Sequence, residues 1–263
     1  MLAATGTTIT DDDQNTALEK INTNLATLGK DLDILLTPSN HANIYRGKSL
    51  GTSITSAQLT SISNGTFDDM YVGDYWTING TTYRIADFDY WYNQGDTAFT
   101  KHHVVIVNDP QWKDNWHGVM HTKVDNAETV KGAYVGSDMY TTTLPKTLSV
   151  IETDFGADHV LSHREHLQNA VSDGQPSGGT WYDSKIELMN EIVVYGCKIF
   201  SSTGTVNNYT IENSQLALFR LNHNRINPNR SWYWLRDVVS SACFARVDSN
   251  GHCSYGAAST DCF

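Results

Sequence analysis

The sequence predicts an α+β protein preceded by a coiled-coil helix, on three observations. Leu18, Ile21, Leu25, Leu28, Leu32 and Leu35 recur in steps of three and four. Asn79-Gly80 separates two alternating, aromatic-rich runs, and two later segments carry helical periodicity. Hairpins framing helices place the globular part in the α+β class.

The seam puts Leu18, Leu25 and Leu32 at a and Ile21, Leu28 and Leu35 at d of a heptad, a stripe about 27 Å long at about 1.5 Å per residue. On a lone helix this stripe faces water, so the seam predicts an oligomer. Asp11, Asp12 and Asp13 suit a helix N-terminus, and Thr37-Pro38 suits its end, because the residue before proline is pushed out of the α region. The stalk helix is therefore expected from about Asp12 to Leu36, in an oligomerisation segment 1–38 followed by a globular segment 39–263. Within the latter, Tyr71 to Ile78 and Thr82 to Trp91 are expected to form a hairpin about Asn79-Gly80, whose type I′ turn needs positive φ twice. Val104 to Val107 reads as a buried strand. Ala157 to Val171 and Asp183 to Tyr195 read as helices, with Ser172 to Gly179 and Asn222 to Arg230 as loops. From Ser231 onward short strands return, with Ser249-Asn250-Gly251 as a turn.

Composition narrows the function classes. The chain has 263 residues, a net charge of −11 and only 18 Lys plus Arg, so it lacks the basic stripe that phosphate backbones require. Nucleic acid is not an expected partner. No apolar run reaches the roughly eighteen residues of a membrane span, and no basic residue precedes Lys20, so neither membrane insertion nor a signal peptide is expected and the protein is expected to be soluble. Cys197, Cys243, Cys253 and Cys262 have no CxxC spacing, which removes zinc-ribbon and thioredoxin readings.

Several constellations bear on chemistry. His159, His163 and His166 would share one face of the expected helix, but no Glu sits where H-E-x-x-H needs it. His117 and His121 share helical spacing interrupted by Gly118. No metal site is expected. Asp87 and Asp89, two apart on a strand, would share a face as the acid and base of a hydrolase do; Asp68-Asp69 and Glu187 with Glu191 are the other acid pairs. There is no G-x-S-x-G, P-loop or G-x-G-x-x-G, and no cofactor is implied.

The C-terminal segment is more specific. From Ser240 to Phe263 the chain contains no Lys, Glu, Gln, Met or Trp. A two-residue turn at Asn250-Gly251 would set Arg246 opposite Tyr255 and Phe244 opposite Ala257. That register collects Phe244, Arg246, Asp248, Cys253 and Tyr255 on one face and Cys243, Ala245, Val247, Ser254, Gly256 and Ala258 on the other. One face would pack and the other would display an aromatic, a cation and an anion, the makeup of a recognition surface.

Ile44-Tyr45-Arg46-Gly47-Lys48, the run from Gly65 to Trp76, and Trp232-Tyr233-Trp234-Leu235-Arg236-Asp237-Val238-Val239-Ser240 resemble receptor-binding proteins of phage and prophage tail tips and fibres from gut bacteria. The C-terminal domain of that family is C-type-lectin-like, akin to the formylglycine-generating-enzyme fold. The family includes variable proteins of diversity-generating retroelements, of the major tropism determinant type. Mutagenesis of Asn codons in such proteins excludes the same five residue types that are missing after Ser240. The resemblance implies a homotrimeric virion protein acting outside the host cell, attached through its N-terminus to other tail proteins, whose lectin-like head binds a bacterial surface receptor, protein or glycan, without catalysis. It further implies that Trp234, Leu235 and Arg236 are scaffold, and that ligand-binding, diversified positions lie among Trp232, Tyr233, Phe244, Arg246, Asp248, Asn250, His252 and Tyr255, within a variable segment 231–263. Gln175-Pro176-Ser177 lacks the acid of a lectin calcium motif, so calcium-dependent sugar binding is not expected. The alternatives are a polysaccharide or cell-wall depolymerase using Asp87 with Asp89 or another acid, and a structural baseplate or adaptor protein.

Overall fold

A computed structural model describes residues 10–35, 38–110, 113–122, 132–200 and 214–263, with the side chains of 31–35, 38 and 39 outside that description. Helix α1 runs from Asp11 to Leu35. Thr10 and Asp13 start it by reciprocal bonds: Asp13 N donates to Thr10 Oγ1 at 3.2 Å, and Thr10 N donates to Asp13 Oδ2 at 3.0 Å. The expected seam lies bare on this helix, Leu18, Ile21, Leu25 and Leu28 being 53–65% exposed, and no residue from 11 to 30 is buried. Leu32 and Leu35 belong to the helix, but their side chains lie outside the described residues, as do Leu36 and Thr37, where the helix end was expected. A short helix α2, Pro38–His41, leads into the head.

The head is α+β. Strand β1 (Ser49–Gly51), helix α3 (Ser56–Asn64), and strands β2 (Tyr75–Ile78), β3 (Thr81–Phe88) and β4 (Val104–Asn108) build a four-stranded sheet in the order β1-β2-β3-β4. The Asn79-Gly80 turn forms as the sequence predicts, with φ of 48° and 77° and Ile78 paired to Thr81. Val104 to Val107 does form a strand, although only Val105 is buried. Short strand β5 (Gly118–Val119) follows. A π-helical turn at Met139–Thr143 then runs into α4 (Leu144–Phe155).

Two expected helices are corrected. Residues Ala157–His159 form one 3-10 turn, residues 160–162 are irregular, and from His163 the expected helix is strand β6 (His163–Ser172), paired antiparallel with β7 (Gln175–Ser184). The expected loop 172–179 is the tight turn of that hairpin: Asp173 and Gly174 have φ of 51° and 72°, and Ser172 pairs with Gln175. Asp-Gly meets the same demand for two positive φ angles as Asn-Gly. Of the second expected helix only α5 (Glu191–Tyr195) is helical, started by Asn190, whose side chain accepts from Val193 N at 2.7 Å. Helix α6 (Ala217–Leu221) follows the segment 201–213.

The C-terminal sheet has the order β10-β9-β8, with β8 at Tyr233–Ser240, β9 at Cys243–Val247 and β10 at Cys253–Ala257. Its hairpin register corrects the expected one by a residue: Arg246 opposes Ser254, Ala245 opposes Tyr255, and Phe244 opposes Gly256. The connection is a three-residue loop, Ser249-Asn250-Gly251, because Asp248 N donates to His252 O at 2.9 Å and Gly251 takes φ 84°. The slip moves Tyr255 and Cys253 to the face opposite Phe244 and Arg246. The last residues close on the same sheet, Trp234 N donating to Phe263 O, while β11 (Asp261–Cys262) pairs with β5.

This sheet lies between two apolar clusters. Tyr233, Leu235, Ala245 and Val247 face one, with Trp76, Tyr83, Ile85 and Leu218; Trp234, Val238 and Phe244 face the other, with Met120, Tyr134, Met139, Leu144 and Leu167. Six consecutive residues of β8, Tyr233 to Val238, are buried. With each large apolar side chain contributing about 1.5–3 kcal/mol when fully buried, β8 is the keystone of the head. The expectation of one packed and one displayed face is thus corrected for β8 and β9, which pack on both sides.

Candidate functional site

The eight positions expected to touch a ligand divide into buried and exposed groups. Tyr233 and Phe244 are in the core, at 5% and 0% exposure, and the Tyr233 hydroxyl donates to Ile226 O at 2.7 Å. They are corrected from ligand contacts to packing residues, because strand alternation aims each into one of the two clusters. The other six lie along the outer rim of the sheet and its loop.

Trp232 is 37% exposed, and the Arg246 guanidinium lies over its ring, 4.2 Å from the centroid. The two sit on one sheet face because Arg246 pairs with Trp234 across β8 and β9, two residues beyond Trp232. At the loop, Asp248 Oδ1 accepts from Asn250 N at 2.7 Å and from His252 N at 3.0 Å, so this carboxylate shapes the turn. That leaves the side chains of Asn250 and His252 exposed, with Arg230 donating to Asn250 Oδ1 at 3.1 Å. Tyr255 is 50% exposed on edge strand β10, on the other face, with Phe200 packed edge-on at 5.3 Å and Ile199 beside Phe200 in sequence.

Ile199, Phe200 and Arg230 are rim residues that the sequence reading missed. Glu191 accepts from Ile199 N at 2.7 Å and Phe200 N at 2.9 Å, while its own N–H donates to buried Asp237 Oδ2 at 2.7 Å. Burial, with Glu191 nearby, pushes the Asp237 carboxyl up to about 6. Cys253 Sγ lies 3.4 Å from Glu191 Oε1, and burial and that carboxylate push its thiol well above the ordinary range. The four cysteines are free thiols. A Glu with two apolar residues eight and nine positions on carries no local sequence signature, which is why this anchor was not legible.

The acid and histidine candidates mostly serve the fold. Asp87 is buried and accepts from Phe88 N and Ala217 N, both at 2.9 Å, tying β3 to the start of α6; burial raises its pKa. Asp89 lies beyond the strand at φ 51°, with His102 Nδ1 2.7 Å from Oδ2 and His103 N donating to Oδ1 at 2.9 Å. Asp87 and Asp89 therefore do not form an acid and base pair on one strand face. Asp69 pairs with Arg46 and Lys48. His163 and His166 sit on opposite faces of β6: His163 Nε2 lies 3.0 Å from Glu165 Oε2, and His166 packs on Trp181. His117 pairs with Asp261, and His121 lies 3.5 Å from Asp138. Glu165 also accepts from Arg236 Nη2 at 2.8 Å; burial opposes its charge, but Arg236 and His163 outweigh that and hold its pKa down. Glu187, 3.9 Å from Arg236, is pushed up by burial to about 7. Among the described residues no group of three His, Cys, Asp or Glu side chains is arranged to hold a metal ion, and no helix is long and apolar enough to cross a membrane.

Comparison of the chain with protein-family models, with curated proteins and with solved structures finds no match in any of the three.

Proposed function

We propose that the protein is a homo-oligomeric adhesin of a phage tail, built as a coiled-coil stalk carrying C-type-lectin-like heads that bind a bacterial surface receptor. The observation that carries this reading is the bare seam on α1. Leu18, Ile21, Leu25 and Leu28 are more than half exposed on a helix whose residues 11–30 touch no core, and apolar stripes of this period pack against partner helices, here taken as further copies of the chain. Side-by-side copies give a multivalent head, in which a second contact forms at high effective concentration once the first has formed.

The rim of the C-terminal sheet is where receptor contact falls in this reading. Trp232 with Arg246, the Asn250 and His252 loop, and Tyr255 with Phe200 offer stiff aromatic surface and a cation, the residue types that dominate binding energy at interfaces. The resemblance of Trp232 to Ser240 and of the run Gly65 to Trp76 to phage receptor-binding proteins supports the same assignment. A depolymerase has less support, since both oxygens of Asp87 are taken by backbone N–H groups.

The test is adsorption of the labelled 263-residue chain to a panel of gut bacterial strains. Binding confined to a subset of strains is expected, with at least a tenfold loss in the combined Trp232→Ala, His252→Ala, Tyr255→Ala variant at an unchanged melting temperature. Full binding by that variant would remove the rim from the mechanism.

A further inference from the structure

Arg246 is a cation of the rim that no carboxylate answers. Arg46, Arg84, Arg164 and Arg236 each pair with an acid, whereas among the described residues Arg246 has no ion pair. Its guanidinium reaches one hydrogen-bonding atom, Nη1 lying 3.9 Å from Cys262 Sγ. Nε is buried without a partner, and Nη2, which also has none among the described residues, stays open to solvent. The acids beside it are occupied. Asp248, two residues on, accepts from Asn250 N and His252 N, and Asp261, next to Cys262, pairs with His117 at 3.1 Å. What seats the guanidinium is aromatic, the Trp232 centroid at 4.2 Å and the Trp234 centroid at 6.0 Å. Gly256 leaves the room, since a Cβ there would lie 2.6 Å from Nη1. The cation is thus held in place before a ligand arrives, and binding loses little further side-chain freedom.

Charge and number decide what such a cation fits. A guanidinium stays charged and donates to carboxylates and phosphates. One cation matches one carboxylate, whereas a phosphate monoester carries about −1.5 to −2 and would leave excess negative charge beside Asp248 and Asp261. A single hydrogen bond from a charged donor contributes only about 1.5–3 kcal/mol, so one contact alone gives weak binding. Repetition overcomes that. A polysaccharide with an acid on successive sugars offers the same group to successive heads, which an acidic loop of a folded protein does once.

We propose that Arg246, seated on Trp232, binds the carboxylate of a uronic-acid polysaccharide. This rests on the reading of the rim as the receptor contact, and it names the receptor's chemistry. Retention of the 263-residue chain on immobilised polygalacturonate, on its methyl ester and on polyglutamate tests it without cells. A chain that adsorbs to no strain is thereby told apart from a chain that ignores carboxylates. The ester carries the same sugars without the charge, and the acid polymer is expected to bind about tenfold tighter or more. Arg246→Gln is expected to bring the acid polymer down to the level of the ester. Lys146→Gln removes an equal charge from an exposed position of α4 and is expected to change nothing. The comparison of acid with ester uses the unmodified chain and so depends on no variant's folding. Equal retention on acid and ester, undiminished retention of Arg246→Gln on the acid, or equal losses in the two variants would each overturn the proposal. So would tighter retention on polyglutamate than on polygalacturonate, which would make the partner an acidic protein.

Discussion

Glu187 shows how one residue's surroundings set a measurable property. Its carboxyl ordinarily titrates near 4.5, and in the head burial carries it to about 7, with Arg236, Ser184 and Tyr134 pulling it down and Glu165 pushing it up. The folded state therefore takes up a proton that the unfolded chain has released. Stability from this group is fully present below pH 4.5 and is lost as pH rises toward 7, on the order of 3 kcal/mol at about 1.4 kcal/mol per unit. In Glu187→Gln that part of the slope in denaturant-measured stability is expected to vanish; an unchanged slope would place Glu187 in solvent. Phe244 and Tyr255 test the division of the expected ligand residues. Phe244→Ala is expected to cost about 3–5 kcal/mol, as for a fully buried ring, whereas Tyr255→Ala is expected to stay within about 0.5 kcal/mol. Chemical denaturation of the two variants separates them, and comparable losses would contradict the observed register.

At the scale of elements, two dipeptides carry the same turn chemistry, and only one of them was legible. Asn79-Gly80 lies between evident alternating runs, so its hairpin could be read. Asp173-Gly174 lies beside histidines spaced as on a helix, and a bulge between Gln168 and Ala170 breaks the alternation that would have marked β6 as a strand. The C-terminal hairpin was legible as a hairpin but not in register, because the Asp248 side chain caps two backbone N–H groups and lengthens the loop by one residue. The helix under the seam, by contrast, depends on period alone, and four of its apolar positions, Leu18, Ile21, Leu25 and Leu28, lie exposed on α1. The two turns differ in what surrounds their glycines. A Cβ on Gly80 would meet nothing within 4 Å, whereas one on Gly174 would lie 2.9 Å from Ser241 N. Both carry positive φ, so Gly80→Ala is expected to cost about 1 kcal/mol. Gly174→Ala is expected to cost more, since the loop joining β8 and β9 must also move. Melting temperatures of the pair check this, and a larger loss at Gly80 would contradict the contact.

On the scale of the whole molecule, the globular part buries its apolar side chains and helix α1 does not. Strands β8 and β9, packed on both faces, fix the head, and Trp232, Asn250, His252 and Tyr255 stand clear of the core at its rim. Helix α1 leaves the stripe of Leu18, Ile21, Leu25 and Leu28 uncovered. In the adhesin reading these are complementary: a rim that tolerates change makes individually weak contacts, and the stalk adds them together. The direct test is sedimentation equilibrium of the 263-residue chain beside the Leu18→Asp, Leu25→Asp variant. The account predicts an oligomer, three times 29.3 kDa for the trimer that the family resemblance implies, and a single 29.3 kDa chain for the variant. A 29.3 kDa species for the unmodified protein at micromolar concentration would contradict it.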